Sequence, residues 1–318
     1  MYDVIVIGAG PAGLAAGIYC ANSGLQTLIL EAKKDAGGRM LRARSIINYP
    51  GFPEKITGLE LAKKMMRQAE KSGAEVKLSE EVVSLSCKED KFVETKNGTY
   101  YYRALILATG AGMTGLGMKD ETWIGDGVSY CLECSAPLIE EKDIIVIGNT
   151  QRIINEAIYL TKIAKHVKLV NHANAIIIEP KIKEKLEKNR IELIEDFAGE
   201  RVEGEPPHKQ LILRHLRNSK LRKLTANFIL VISPIVPFIS ILRKAGIATH
   251  RAGCIVVDEF GRTNIEGIYA TGSCASTMKD IIPSCVGDGT IIAACACLYL
   301  KNKTSLSLPR KDDCEQKN

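Results

Sequence analysis

The chain opens on an apolar run that breaks into glycines, Val4-Ile-Val-Ile-Gly8-Ala-Gly10-Pro11-Ala12-Gly13. No other segment limits the fold as much. An apolar strand that ends in a glycine turn and restarts as a small-residue helix is the first crossover of a doubly wound α/β sheet. Each glycine has its own role: Gly8 permits the tight turn, Gly10 lets backbone approach a diphosphate, and Gly13 lets the helix pack on the strand. A diphosphate held there sits on the helix N-terminus, where free N–H groups and the dipole favour an anion. Glu31 follows the predicted strand 26–30 and is placed to accept from ribose hydroxyls.

The pattern returns at Ile144-Ile-Val-Ile-Gly148-Asn-Thr150-Gln-Arg-Ile153, with a strand and a helix but without the later glycines. At 318 residues the chain can hold two cores. Periodicity predicts strands over 2–7, 75–78, 82–87, 92–95, 99–102 and 105–110, and helices over 12–23 and 59–71. The second unit reads as strand 144–147, helix 151–164 and strand 166–170, followed by a basic hairpin and the strand 228–232. A strand over 255–258, a strand from Gly267 and a helix over 289–300 complete the chain. The expected class is α/β, with two Rossmann-like three-layer ββα/βαβ domains, the second inserted in the first. Residues 1–112 with 241–318 would form one domain and 113–240 the other.

Of ten cysteines, Cys131-Leu-Glu-Cys134 form the one C-x-x-C. No second Cys/Cys or Cys/His pair stands at zinc-site spacing, so no metal is expected. No basic stretch precedes the first apolar run, and the longest apolar stretch, 228–242, is interrupted by two prolines. Neither a secretory leader nor a membrane span is expected, and a cytoplasmic location follows. The net charge of +6 gathers in Lys209, Arg214, Arg217, Lys220, Arg222 and Lys223, and in Arg39, Arg42 and Arg44. These are solvated faces or a docking surface for an acidic partner. With aromatics at 5% and none among the basic residues, nucleic acid is excluded.

With these motifs in this order, the chain resembles the low-molecular-weight thioredoxin reductase family of FAD disulfide reductases. The resemblance rests on Gly8–Gly13 with Glu31, on Gly37-Gly-Arg through Asn48-Tyr-Pro-Gly51-Phe, and on Ala108-Thr-Gly110-Ala. Two further segments carry it, Gly127-Val-Ser-Tyr-Cys-Leu-Glu-Cys134 and Thr263-Asn-Ile-Glu-Gly-Ile-Tyr-Ala-Thr-Gly272. It implies FAD as cofactor, held by Gly8, Gly10, Pro11, Ala12, Gly13, Glu31, Gly38, Asn48, Ala108, Thr109, Gly110, Gly272 and Ser273. It implies catalysis by Cys134, which exchanges electrons with the flavin, and by Cys131, which attacks the disulfide of a thioredoxin-like protein. A homodimer is also implied.

The departures point to a different electron donor. The family's second motif reads Gly-x-Gly-x-x-Ala, and its later positions here are Thr150 and Ile153. Its basic cluster for the NADPH 2′-phosphate falls on Asn171-His172-Ala173, and its downstream arginine falls near Ile177. Ser135 replaces the acid after the second cysteine, with Glu133 as the nearest carboxylate. Ser273 replaces the aspartate after Gly272, and Asp280-Ile281 the usual Arg-Gln. The pattern is nearest the branch fed by ferredoxin or reduced deazaflavin rather than NADPH. A flavin dithiol oxidase and a flavin-binding redox regulator remain open at this point.

Overall fold

The structure is a computed structural model. It describes residues 1–302 apart from 44, 89, 114–115, 119–126, 131, 133–137, 206, 234, 238–239, 251–252 and 276–280. It divides into two compact units: Met1–Met40, Glu60–Ala111 and Pro237–Asn318 form one, Leu41–Leu59 and Gly112–Val236 the other.

In the first unit β1 (Tyr2–Ile7) leads to α1 (Pro11–Asn22) and β2 (Thr27–Leu30). Helix α2 (Gly58–Lys71) and strands β3 (Glu75–Lys77), β4 (Val82–Ser86), β5 (Phe92–Thr95) and β6 (Thr99–Leu107) follow. The predicted strands 99–102 and 105–110 are one strand, β6. Its first part pairs antiparallel with β5 and its apolar second part runs parallel to β1, with Ile7 opposite Leu107. The chain leaves through β7 (Ala111–Met113).

The second unit begins with β8 (Val128–Ser129), β9 (Asp143–Gly148), α3 (Arg152–Leu160) and β10 (His166–Asn171). Helix α4 (Pro180–Lys188) and β11 (Glu192–Ile194) come next. Strands β12 (Phe197–Glu203), β13 (Lys209–His215) and β14 (Leu221–Ala226) form an antiparallel sheet. After β15 (Phe228–Ile232), strand β16 (Ile235–Pro237) pairs with β7 and returns the chain to the first unit. Helix α5 (Ser240–Lys244), β17 (Ile268–Ala270) and α6 (Ile282–Asn302) end it. The expected strand over 255–258 is absent: Ile255 makes an isolated bridge to Thr249. Helix α6 starts seven residues before the predicted 289, with Pro283 in its first turn, where a missing N–H costs nothing.

Both units stack helices, a largely parallel sheet and an antiparallel layer. The first sheet runs β3-β2-β1-β6-β5-β4 with β17 beside β6, and the second runs β11-β10-β9-β15-β8. Strand β9 shows why the layers form. Alternate residues Ile144 and Val146 pack with Ile153, Ala157 and Leu160 of α3, whereas Ile145 and Ile147 pack with Leu211, Leu213 and Leu224 of the antiparallel sheet. A strand apolar on both faces must be covered on both. By length and composition α6 could cross a membrane. In the first unit it lies along α1: Cβ on Gly289 would meet the Ala12 carbonyl at 2.2 Å, and Cys297 touches Cys20.

Candidate functional site

Strand β1 delivers Gly8 at φ +106, and a Cβ there would lie 2.3 Å from the Ala108 carbonyl oxygen and 3.3 Å from the Thr109 Cα. A Cβ on Gly13 would lie 1.8 Å from the Gly8 carbonyl oxygen, so the helix rests directly on the turn. Gly10 caps α1 with Pro11 as its first residue, and a Cβ on Gly10 would meet nothing within 4 Å. The turn is therefore closed behind by backbone and open in front of the helix N-terminus. That fits a diphosphate.

Around this opening the first unit gathers the other predicted residues. The Glu31 carboxylate accepts from the N–H groups of Ala9 and Lys33, both at 2.9 Å, which fixes its direction beside the turn. The Gly37 N–H donates to the Ala9 carbonyl at 2.7 Å, and Gly38, at φ +56, faces the Gly10 Cα. Gly272 lies over the Ala12 side chain, with Ser273 next to it. Ala108 and Thr109 back Gly8, and Gly110, at φ +65, turns the chain out of β6. Asn48 belongs to the second unit, where it is exposed.

Two residues of this cradle were given no cofactor role by the sequence, although Arg39 lies in the Gly37-Gly-Arg segment. Arg39, grouped above with a basic loop, donates from Nη2 to Ser273 Oγ at 3.1 Å. Asp288 Oδ2 accepts from Thr271 Oγ1 at 2.8 Å and from the Gly272 N–H at 2.9 Å, which fixes the loop before Ser273. Its signal was the sequence Gly287-Asp288-Gly289: an acid between glycines at the start of a small-residue helix. Cys274 is no part of a redox pair. Its thiol contacts the carbonyls of Leu107 and Thr271, and burial pushes it up, so it stays protonated.

The turn of the second unit is built differently. A Cβ on Gly148 would meet the Ile232 carbonyl at 2.2 Å and the Ile153 Cγ2 at 2.5 Å. The fully buried Ile153 side chain thus stands between helix and turn, where Gly13 brings the helix backbone directly onto the turn in the first unit. Arg152, at the start of α3, is turned back to Glu156 at 2.7 Å. Asn171 is fully buried and closes its own loop, donating to the Ile176 carbonyl at 2.8 Å and accepting from its N–H at 3.2 Å. His172 Nδ1 accepts from the Gly199 N–H. Ile177 is exposed. Asn149 Oδ1, Thr150 Oγ1 and Ser233 Oγ are shielded from solvent without a hydrogen-bond partner among the described residues.

The basic hairpin is smaller than its sequence suggests. Lys209 is fully buried and donates to the Gly204 carbonyl at 2.8 Å, so it is no surface cation. Arg214 pairs with Glu200 and Arg222 with Glu192. Cys131, Glu133, Cys134, Ser135, Asp280 and Arg44 lie outside the described residues. Leu132, between the two cysteines, is buried among Ile144, Ile153 and Phe228 on the helix side of the second sheet.

Comparison with known proteins agrees with this architecture. A family described as pyridine nucleotide-disulphide oxidoreductase matches residues 2–289. The chain is 32% identical over 303 residues to a thioredoxin reductase of Treponema pallidum (strain Nichols), covering 94% of this chain and 97% of that one. It is 30% identical over 304 residues to a 34.2 kDa protein in the rubredoxin operon of Clostridium pasteurianum, with coverage of 95% and 98%. The crystal structure of thioredoxin reductase from Streptococcus pyogenes MGAS5005 superimposes with a TM-score of 0.86 at 31% identity, covering 95% of this chain and 98% of that one.

Proposed function

This chain belongs to the pyridine nucleotide-disulphide oxidoreductase family, as an oxidoreductase of the thioredoxin reductase type acting on sulfur groups, and on that premise we propose that it is an FAD-dependent disulfide reductase fed by a donor other than NADPH. The observation that carries the second half is the pair of turns. In one, glycines bring the helix onto the turn and leave the space before its N-terminus open; in the other, Ile153 is wedged against Gly148 where the first has Gly13.

FAD, when bound, supplies the two-electron carrier between donor and dithiol. The chain's own residues do the rest. Gly8, Gly10 and Gly13 shape the turn for the diphosphate, and the α1 N-terminus supplies N–H donors. Glu31, with two amides fixing its direction, has lone pairs left for ribose hydroxyls. Arg39, Ser273 and Asp288 meet around Gly272, which lies over Ala12. Cys131 attacks the disulfide of a thioredoxin-like protein: its sulfur bonds to one partner sulfur and the other leaves as a thiolate. Cys134 then displaces the partner from the mixed disulfide, leaving a Cys131–Cys134 disulfide for the flavin to reduce.

In place of a 2′-phosphate cluster the chain has an amide that closes its own loop and an exposed isoleucine. A phosphate there would find no bidentate partner. Reduced ferredoxin and reduced deazaflavin are the donors this reading favours. The test is an anaerobic titration of the purified flavoprotein with NADPH, NADH, reduced deazaflavin and reduced ferredoxin. The flavin's visible band should bleach with one of the last two and persist with both nicotinamides; bleaching by stoichiometric NADPH overturns the donor assignment. Because Asn149, Thr150 and Ser233 leave polar atoms unpaired at the second turn, both nicotinamides belong in the titration.

A further inference from the structure

The first unit holds a second pair of thiols that the proposed reaction does not use. Cys20, on α1, and Cys297, on α6, place their sulfurs 3.9 Å apart, both in the buried face between the helices. The two helices are in register along this face. Gly289 rests on Ala12 near their N-terminal ends, and Cys297 on Cys20 eight residues further along each. The sulfurs must approach by about 2 Å to bond.

The two thiols are not equivalent. The hydrogen bond shared with Cys20 pulls Cys297 down to about 7 against the opposing effect of burial, with help from the Ser23 hydroxyl and the Lys301 charge. The same hydrogen bond and burial push Cys20 far up. One sulfur is thus set up as the nucleophile and the other as the proton-bearing partner.

We propose that Cys20 and Cys297 are a second redox centre, oxidised to a reversible α1–α6 disulfide by a hydroperoxide. The Cys297 thiolate attacks the terminal oxygen of the peroxide. An S–O bond forms, the O–O bond breaks, and the leaving oxygen takes a proton, giving a sulfenic acid. The Cys20 sulfur then attacks the Cys297 sulfur. The S–S bond forms, the S–O bond breaks, and water departs with the Cys20 proton. Two electrons pass from the dithiol to the peroxide. An external dithiol returns them.

The experiment uses the full chain, reduced, freed of reductant and treated with a slight excess of hydrogen peroxide. It is then alkylated in denaturant and digested without reductant for mass spectrometry. The expected product is a cross-linked peptide joining Cys20 to Cys297, two hydrogens lighter than the separate peptides and lost on treatment with dithiothreitol. In Cys20→Ser the sulfenic acid on Cys297 has no partner and should be trapped by dimedone. Full alkylation of both cysteines in the treated wild type overturns the proposal. So does over-oxidation of Cys297 without a link, or its linkage to another cysteine. The wild-type peptide map decides the matter even if Cys20→Ser fails to fold, and neither readout depends on the donor or on turnover.

Discussion

The two units solve the same packing problem with different residues at the same place. Each turns a strand into a helix with a glycine where the apolar run ends, Gly8 in one and Gly148 in the other. In the first, Gly13 brings the helix backbone onto the turn, and the space in front of Gly10 stays open. In the second, Ile153 holds the helix off the turn with a side chain. Burying an isoleucine side chain is worth about 1.5–3 kcal/mol in area removed from water. The second turn has therefore exchanged close backbone packing for a buried side chain. A Rossmann-like unit keeps its fold when its motif decays because the sheet and the apolar helix face carry the fold, while the glycines carry the site.

Gly13→Ala is the hardest blow to this contrast. Within an ordinary helix the change gains roughly 0.5–1 kcal/mol from propensity. Here the new methyl would stand 1.8 Å from a backbone oxygen that cannot rotate away. Overpacking of that kind costs about 1–3 kcal/mol or more and must displace α1 from the turn. The variant should purify with flavin nearly absent, measured as bound flavin per chain, while far-ultraviolet circular dichroism stays close to wild type. Full flavin occupancy would show that the close packing of Gly13 is not what shapes the site.

A smaller effect on the flavin is expected on the other side. Ile153→Ala empties a fully buried position, and such truncations cost about 2–5 kcal/mol. Denaturant unfolding should show that loss, with bound flavin per chain unchanged because the residue belongs to the second unit. NADPH should still fail to bleach the flavin, since Asn171 continues to close the 171–176 loop and no cation replaces the missing cluster. If NADPH does reduce this variant, one side chain was the whole barrier and the contrast shrinks to a single residue.

How much of this was legible depended on how local the signal was. Strands β1, β5 and β15 and the glycine roles follow from neighbours in sequence. So does the two-faced burial of β9, because an uninterrupted Ile/Val run has no polar face to expose. The fusion of two predicted strands into β6 was hidden, since Arg103 breaks the apolar pattern yet pairs with Asp3 on the neighbouring strand β1. Lys209 was misread for a related reason: its charge is satisfied by a carbonyl five residues earlier, a contact no composition count contains. Arg39 and Asp288 were missed as members of the cradle because each acts on a loop more than ten residues away, Arg39 on Ser273 and Asp288 on Gly272.

Arg39 gives the mildest and most discriminating prediction. Its guanidinium is brought to Ser273, beside a helix N-terminus that is itself the positive end of a dipole. A cation held near that pole is disfavoured unless an anion lies within reach of both. Asp288 holds the same loop through Gly272 and Thr271, and on the proposed reading the FAD diphosphate is such an anion. Arg39→Met should then weaken FAD binding to the apoprotein about tenfold, or ~1.4 kcal/mol, and make the affinity less sensitive to salt. The side chain is only partly buried, so solvent screens the charge, and a larger effect is not expected. Arg39→Lys keeps the charge and loses the planar fork, and should fall between the two. Equal affinities for wild type and Arg39→Met across a salt series would reduce the Arg39–Ser273 contact to a loop tether.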